Sequence, residues 1–108
     1  MSLSLFDLRG RAAIVTGGNQ GIGLAMTEAL ATAGANVIIA NRREEEGKKA
    51  AAEIREKYQV QALAIATDVS SHSSVAQMVR GAQAAFGKID ILVNNAGVML
   101  RKTIEETE

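Results

Sequence analysis

An apolar run, Ala12-Ala13-Ile14-Val15, breaks into Thr16-Gly17-Gly18-Asn19-Gln20-Gly21-Ile22-Gly23, and an apolar-periodic segment starts directly behind it. A strand that feeds a helix through a glycine turn leaves a chain few folds. Residues without a Cβ permit the tight turn and let a phosphorylated group approach the backbone closely. The helix that starts there aims its free N–H groups, and the positive end of its dipole, at the same spot. The residues therefore predict a nucleotide pocket, and more specifically a dinucleotide pocket, at the junction.

The strand-then-helix unit recurs along the chain. Arg11 to Val15 reads as the first strand. Ile22, Met26, Ala29, Leu30 and Ala33 recur at helical spacing, which predicts a helix from about Gly21 to Ala33 with Gly34 as its stop. Val37-Ile38-Ile39-Ala40 is a second strand. Arg42 to Lys49 then leads into an alanine-rich helix whose Glu44/Lys48 and Glu45/Lys49 pairs have favourable i, i+4 spacing. Val60 to Ala66 gives a third strand; Ser70 or Ser71 caps a third helix with Val75, Met78, Val79, Ala82 and Phe86 on its buried stripe and Gly87 at its end. Ile89 to Val93 is a fourth strand, closed by Asn94-Asn95-Ala96-Gly97, and Val98 to Glu108 reads as a loop with a further helix beginning at Ile104.

The order β-α-β-α-β-α-β, with strands of continuous apolar character, predicts an α/β fold: a parallel sheet covered on both faces. Right-handed crossovers with a reversal after the third strand give the spatial order 3-2-1-4. A ligand then sits beyond the carboxyl ends of strands one and four, where the glycine turn and the Asn94–Gly97 segment both fall. Apolar residues make up 47% of the chain and aromatics 3%, so the core is built from Ala, Val, Ile, Leu and Met; there is no proline.

Composition excludes several function classes. Twelve basic and twelve acidic residues balance to zero net charge, which argues against nucleic acid or a membrane surface as partner. With no cysteine and one histidine, neither a disulfide framework nor a metal site is expected. No apolar run approaches the ~20 residues of a membrane span, and the start, Met1 to Asp7, lacks the pattern of a secretory signal. A cytoplasmic location is the expectation.

The glycine spacing is T-G-x-x-x-G-x-G. With Asp68-Val69 and Asn94-Asn95-Ala96-Gly97, in that order, it resembles the short-chain dehydrogenase/reductase family. The lead-in Phe6-Asp7-Leu8-Arg9-Gly10-Arg11 and the strand Ile89-Asp90-Ile91-Leu92-Val93 are similar to that family too, so the resemblance covers essentially the whole chain. It implies a Rossmann-type doubly wound sheet and roles by position. Gly17, Asn19, Gln20, Gly21, Ile22 and Gly23 would lie against the adenosine ribose and pyrophosphate of a nicotinamide dinucleotide. Asp68 would accept a hydrogen bond from the adenine amino group, with the Val69 backbone beside it. Asn95, Ala96 and Gly97 would line the adenosine side, with Asn94 bracing the strand end. From the residues alone, Asp68 has a lesser alternative reading as a helix-capping aspartate near Ser70, and Asn94-Asn95 as a polar turn.

The end of the second strand discriminates the cofactor. A site for NAD places an acid there, about 20 residues after the glycines, to hold the ribose hydroxyls. This chain has Asn41 followed by Arg42 and Arg43. Asn41 has no charge to repel a 2′-phosphate, and the Arg42 guanidinium is a permanently charged fork suited to phosphate and to stacking on adenine. NADP is therefore expected, with NAD as the alternative. Gln20 argues the other way, since NADP-preferring relatives often carry a basic residue at that position.

In the family, proton transfer is done by a tyrosine with a lysine four positions later, helped by a serine and an asparagine, all downstream of the Asn-Asn-Ala-Gly segment. Here the single tyrosine is Tyr58, followed four positions on by Ala62. It reads as structural, and His72, behind a capping serine, as a surface residue. No catalytic residue is thus expected within residues 1–108. They are expected to form the N-terminal part of one dinucleotide-binding domain whose catalytic part is absent. The complete enzyme is expected to interconvert a secondary alcohol and a ketone as a homodimer or homotetramer. The Gly18-Asn19-Gln20 and Phe6-Asp7-Leu8 variants resemble members acting on sugar acids and polyols. Two other readings remain open: a stand-alone nucleotide-binding module, and a short interaction protein in which the glycine turn is a remnant.

Overall fold

A computed structural model describes residues 7–95. Strands β1 (Ala12–Thr16), β2 (Asn36–Asn41), β3 (Ala62–Ala66) and β4 (Ile91–Val93) alternate with helices α1 (Gly21–Thr32), α2 (Glu44–Tyr58) and α3 (His72–Phe86). All strand pairs are parallel, and the sheet order is β3-β2-β1-β4, as the crossover argument requires. The expected residues 96–108, with Ala96, Gly97 and the helix at Ile104, lie outside the described residues.

Alternation along the strands splits the core into two layers. On one face Ala13, Val37, Ile39 and Ala62 meet Ala31 of α1 and Ala50, Ala51 and Ile54 of α2. On the other, Ile14, Ile38 and Ala40 meet Met78 and Ala82 of α3, with Val79 and Phe86 packed alongside. The expected stripe of α3 is therefore the one it buries. Ser71 caps the helix by accepting from the Ser74 amide at 3.2 Å, and Gly87 ends it at φ 79°. Tyr58, the last residue of α2, packs against the first core layer under the Lys57 ammonium.

The face that α1 buries is not the one its apolar periodicity marks. Gly23, Thr27 and Ala31 face the sheet, whereas Ile22 is 73% and Met26 39% exposed, and Ala29 is exposed as well. Small side chains let the helix axis approach the strands closely, so closeness rather than hydrophobicity selects the face. A Cβ on Gly23 would run into the Gly17 carbonyl oxygen, so only glycine fits that position.

The sheet is tied at its amino edge by Asp90. Its Oδ2 accepts from the Ala12 amide at 2.8 Å, with Lys88 at 3.5 Å and, on Oδ1, Arg11 at 3.6 Å. The Ala12 amide foremost, and the two cations after it, hold this carboxyl below the usual carboxylate range. The folded carboxylate thus takes up protons less readily than the unfolded one. Its contribution to stability is complete above the unfolded pKa and is lost as pH falls through the folded value. Asp90→Asn should therefore flatten part of the stability loss below about pH 4; urea unfolding of parent and variant at neutral and acidic pH measures it. Asp7 and Asp68 are also shifted down, by Arg9 and Ser70 respectively, so the flattening is partial.

Candidate nucleotide-binding site

The backbone ladder runs one step beyond the strands at their carboxyl ends. The Gly17 amide donates to the Ala40 carbonyl at 2.7 Å, and the Thr67 amide to the Asn41 carbonyl at 2.7 Å. These two bonds hold the turns that follow β1, β2 and β3 side by side. Between them lies a cleft of about 420 Å³, lined by Gly17, Asn19, Gln20, Ala40, Asn41, Arg42, Arg43, Glu46, Thr67 and Val69. Of the residues singled out in the sequence, Gly17, Asn19, Gln20, Asn41, Arg42 and Val69 are thus brought together. Gly21, Ile22 and Gly23 form the adjoining first turn of α1, and Asp68 adjoins Val69. Among the described residues another cleft, of about 460 Å³, runs between α1 and α2. Its rim carries Glu28, Glu53 and Glu56 against Lys57, a poor setting for a phosphate.

The start of α1 is left without a cap from the chain's own side chains. Gln20 stands at its N-cap in an extended conformation without a side-chain capping bond, and the first turn holds no acid. The start of α2, by contrast, carries Glu44, Glu45 and Glu46. Orphan amides and an uncompensated positive pole thus sit at the glycine turn and not at the other helix bordering the cleft. Thr27, fully buried, fixes that turn from below: its hydroxyl lies 2.8 Å from the Gly23 carbonyl and 3.1 Å from the Gly18 carbonyl.

The two family-like motifs are joined directly. The Asn95 amide donates to Thr16 Oγ1 at 2.8 Å, and the Asn95 side chain stands where a Cβ on Gly17 would meet its Nδ2 at 3.2 Å. Gly17 itself has φ 65°, a left-handed conformation that favours glycine. Asp68 makes a tight turn instead of capping α3: its Oδ1 accepts from the Ser70 hydroxyl at 2.7 Å and from the Ser70 amide at 3.0 Å. Those bonds, with the Arg42 charge adding to them, keep the carboxyl ionised below its ordinary range. Both fall on one oxygen, which leaves the second for another donor.

Asn41 takes a place that its position in the chain does not announce. It is 8% exposed, its Nδ2 donates to the Arg43 carbonyl at 2.7 Å, and its Oδ1 has no partner among the described residues. A Cβ on Gly47 would collide with that oxygen. The side chain is therefore packed under the start of α2, shaping the Arg42–Arg43 turn from inside, while the exposed guanidinium groups stand at the cleft. Arg43, Glu46, Thr67 and Ala40 were not singled out as site residues. Their membership follows from strand register and helix phase, and only the basic pair Arg42-Arg43 was visible as a signal.

A family model described as short chain dehydrogenase matches residues 11–108. A short chain dehydrogenase/reductase of Aspergillus oryzae, astE, is 46% identical over 93 residues, which are 86% of this chain and 36% of that protein. The 2-dehydro-3-deoxy-D-gluconate 5-dehydrogenase of Formosa agariphila is 35% identical over 108 residues, 100% of this chain and 41% of that protein. The chain thus spans well under half the length of these relatives. Among solved structures, the L-sorbose reductase of Gluconobacter frateurii, crystallised with NADPH and L-sorbose, superposes with a TM-score of 0.82 at 38% identity, over 85% of this chain and 35% of that one. The NADPH-dependent 3-quinuclidinone reductase of Rhodotorula rubra gives 0.80 at 30% identity, over 83% and 34%.

Proposed function

The chain belongs to the short-chain dehydrogenase family, and from that premise we propose that it supplies the NADP(H)-binding portion of a cytoplasmic oxidoreductase that interconverts a secondary alcohol and a ketone. The observation that carries this reading is the meeting, at one cleft, of an uncapped helix start behind a glycine turn with the Arg42–Arg43 turn. When bound, the nicotinamide carries the hydride.

The chain's own residues would bind and orient. The amides of the first turn of α1 would receive the pyrophosphate, with Gly21 leaving open space for it and Gly17 and Gly23 letting the turn pack closely on itself and on Asn95. Arg42 and Arg43 would take the 2′-phosphate, an arrangement that an acid at the Asn41 position would oppose. Asp68, with Oδ1 engaged by Ser70, would offer its other oxygen to the adenine amino group, and Val69 would cover the ring. Asn19, Gln20 and Ile22 would line the path between ribose and pyrophosphate, and Asn95, Ala96 and Gly97 the adenosine side. Among the described residues Tyr58 lies at the far end of α2, away from the cleft, so proton transfer falls to residues outside them. The relatives named for a sugar acid and for sorbose support a polyol-like small molecule as substrate and the sequence variants point the same way. A homodimer or homotetramer is the assembly we propose for the complete enzyme.

Equilibrium titration with both coenzymes tests the reading. NADPH should bind about tenfold or more tightly than NADH, the value of one good charge-assisted contact. A preference for NADH would overturn the assignment of the phosphate, and binding of neither would overturn the site.

A further inference from the structure

The cleft contains a carboxylate where a phosphate reader should want none. Glu46 stands in the first turn of α2, lines the cleft, and places Oε2 3.3 Å from Arg43 Nη1. Both side chains are exposed, at 80% for Arg43 and 50% for Glu46, so the pair adds little to stability. Its importance is electrostatic. The positive pole of α2 and the Arg43 guanidinium converge here, and Glu46 pairs with Arg43 from within the chain. Its neighbours do not share the role: Glu44 turns along the helix to Lys48 at 3.6 Å, and neither Glu44 nor Glu45 lines the cleft. The other arginine is also drawn toward an acid, since Arg42 acts on the Asp68 carboxylate.

We infer that Glu46 sets the coenzyme selectivity of this cleft: it holds Arg43 as a resident anion, and the ribose 2′-phosphate must displace it to bind. This rests on the nucleotide reading above and goes beyond it by naming an internal competitor. A coenzyme with a free 2′-hydroxyl does not compete for Arg43, so its affinity is indifferent to Glu46. NADPH has to break the Arg43–Glu46 pair and then accept a carboxylate beside its own dianionic group. Glu46 thus tempers the preference for NADPH that the arginines create. The chain reaches that intermediate selectivity without an acid at Asn41, whose side chain is committed beneath the turn.

The test is the Glu46→Gln protein, with Glu44→Gln as its companion, each titrated with NADPH and with NADH at low and moderate salt. Both substitutions remove an acid from the first turn of α2 and so weaken the helix alike, but only the first frees Arg43. Glu46→Gln should tighten NADPH by about 3- to 10-fold at low salt, with a smaller gain at moderate salt, and leave NADH within about twofold. Glu44→Gln should leave both coenzymes within about twofold. Equal tightening of both coenzymes, no change, or the same gain in Glu44→Gln would overturn the inference while leaving the site intact. Failure of the parent protein and both variants to bind either coenzyme would instead overturn the nucleotide reading. Melting temperatures of the three proteins identify any loss that is merely structural.

Discussion

Gly21→Asp is expected to abolish useful coenzyme binding while the protein still folds. Gly21 opens α1 with φ 59°, and a Cβ there would meet nothing within 4 Å. The side chain therefore has space, and the cost of folding is only the backbone conformation, about 1–2 kcal/mol for a residue other than glycine and less for aspartate, which tolerates that region better than most. The charge is a different matter. It would stand at the helix pole proposed to receive the pyrophosphate. Two unit charges about 5 Å apart at an effective dielectric near 20 repel by ~3 kcal/mol, which corresponds to a loss of about 100-fold in affinity. Gly21→Asn has nearly the same shape without the charge and should keep most of the affinity. Fluorescence titration with NADPH, together with a thermal melt, measures both. If the aspartate variant melts normally and binds as the parent does, the helix start is not the diphosphate site and the function built on it falls.

Arg42→Ala should weaken NADPH far more than NADH. The Arg42 guanidinium is exposed at the cleft, and no hydrogen bond from it to the described part of the chain supports the fold, so its removal should leave stability nearly unchanged. A charge-assisted hydrogen bond to a phosphate contributes about 1.5–3 kcal/mol. The expected loss is about 10- to 100-fold for NADPH, with NADH altered only by lost stacking on adenine. The ratio of the two dissociation constants is the measurement. A parallel loss for both coenzymes would move Arg42 from the 2′-phosphate to a general part of the dinucleotide. The ratio also separates this effect from that of Glu46, which changes it in the opposite direction.

The sequence carried the architecture well because architecture depends on coarse patterns. Continuous apolar strands separated by helix-length segments leave parallel crossovers as the only short connection, and the order β3-β2-β1-β4 follows. The boundaries moved by a residue or two for a local reason. Thr16 belongs to β1 because it is in register with Ala40 of β2, a relation that no single segment displays. The glycine turn was legible because a missing Cβ is a property of the residue itself. The inner face of α1 was not. Periodicity weights Ile22 and Met26, yet the sheet receives Gly23, Thr27 and Ala31, because close packing admits small residues whatever their hydrophobicity.

What the amino-acid order determined by itself was thus the fold, the meeting of the glycine turn with the end of the second strand at one rim, and the absence of an acid after that strand. The tertiary structure alone decided where the side chains of that rim turn. Asn41 goes inward to the Arg43 carbonyl, the Thr27 hydroxyl reaches the Gly18 and Gly23 carbonyls, and Glu46 comes round to Arg43. The reason is that spacing fixes the phase of a residue on its own element, whereas the partner of a polar group depends on which turns the sheet register places beside one another. Hydrogen bonds and ion pairs act over a few ångströms, so selectivity at this cleft belongs to neighbours that are remote in pattern and adjacent only in space.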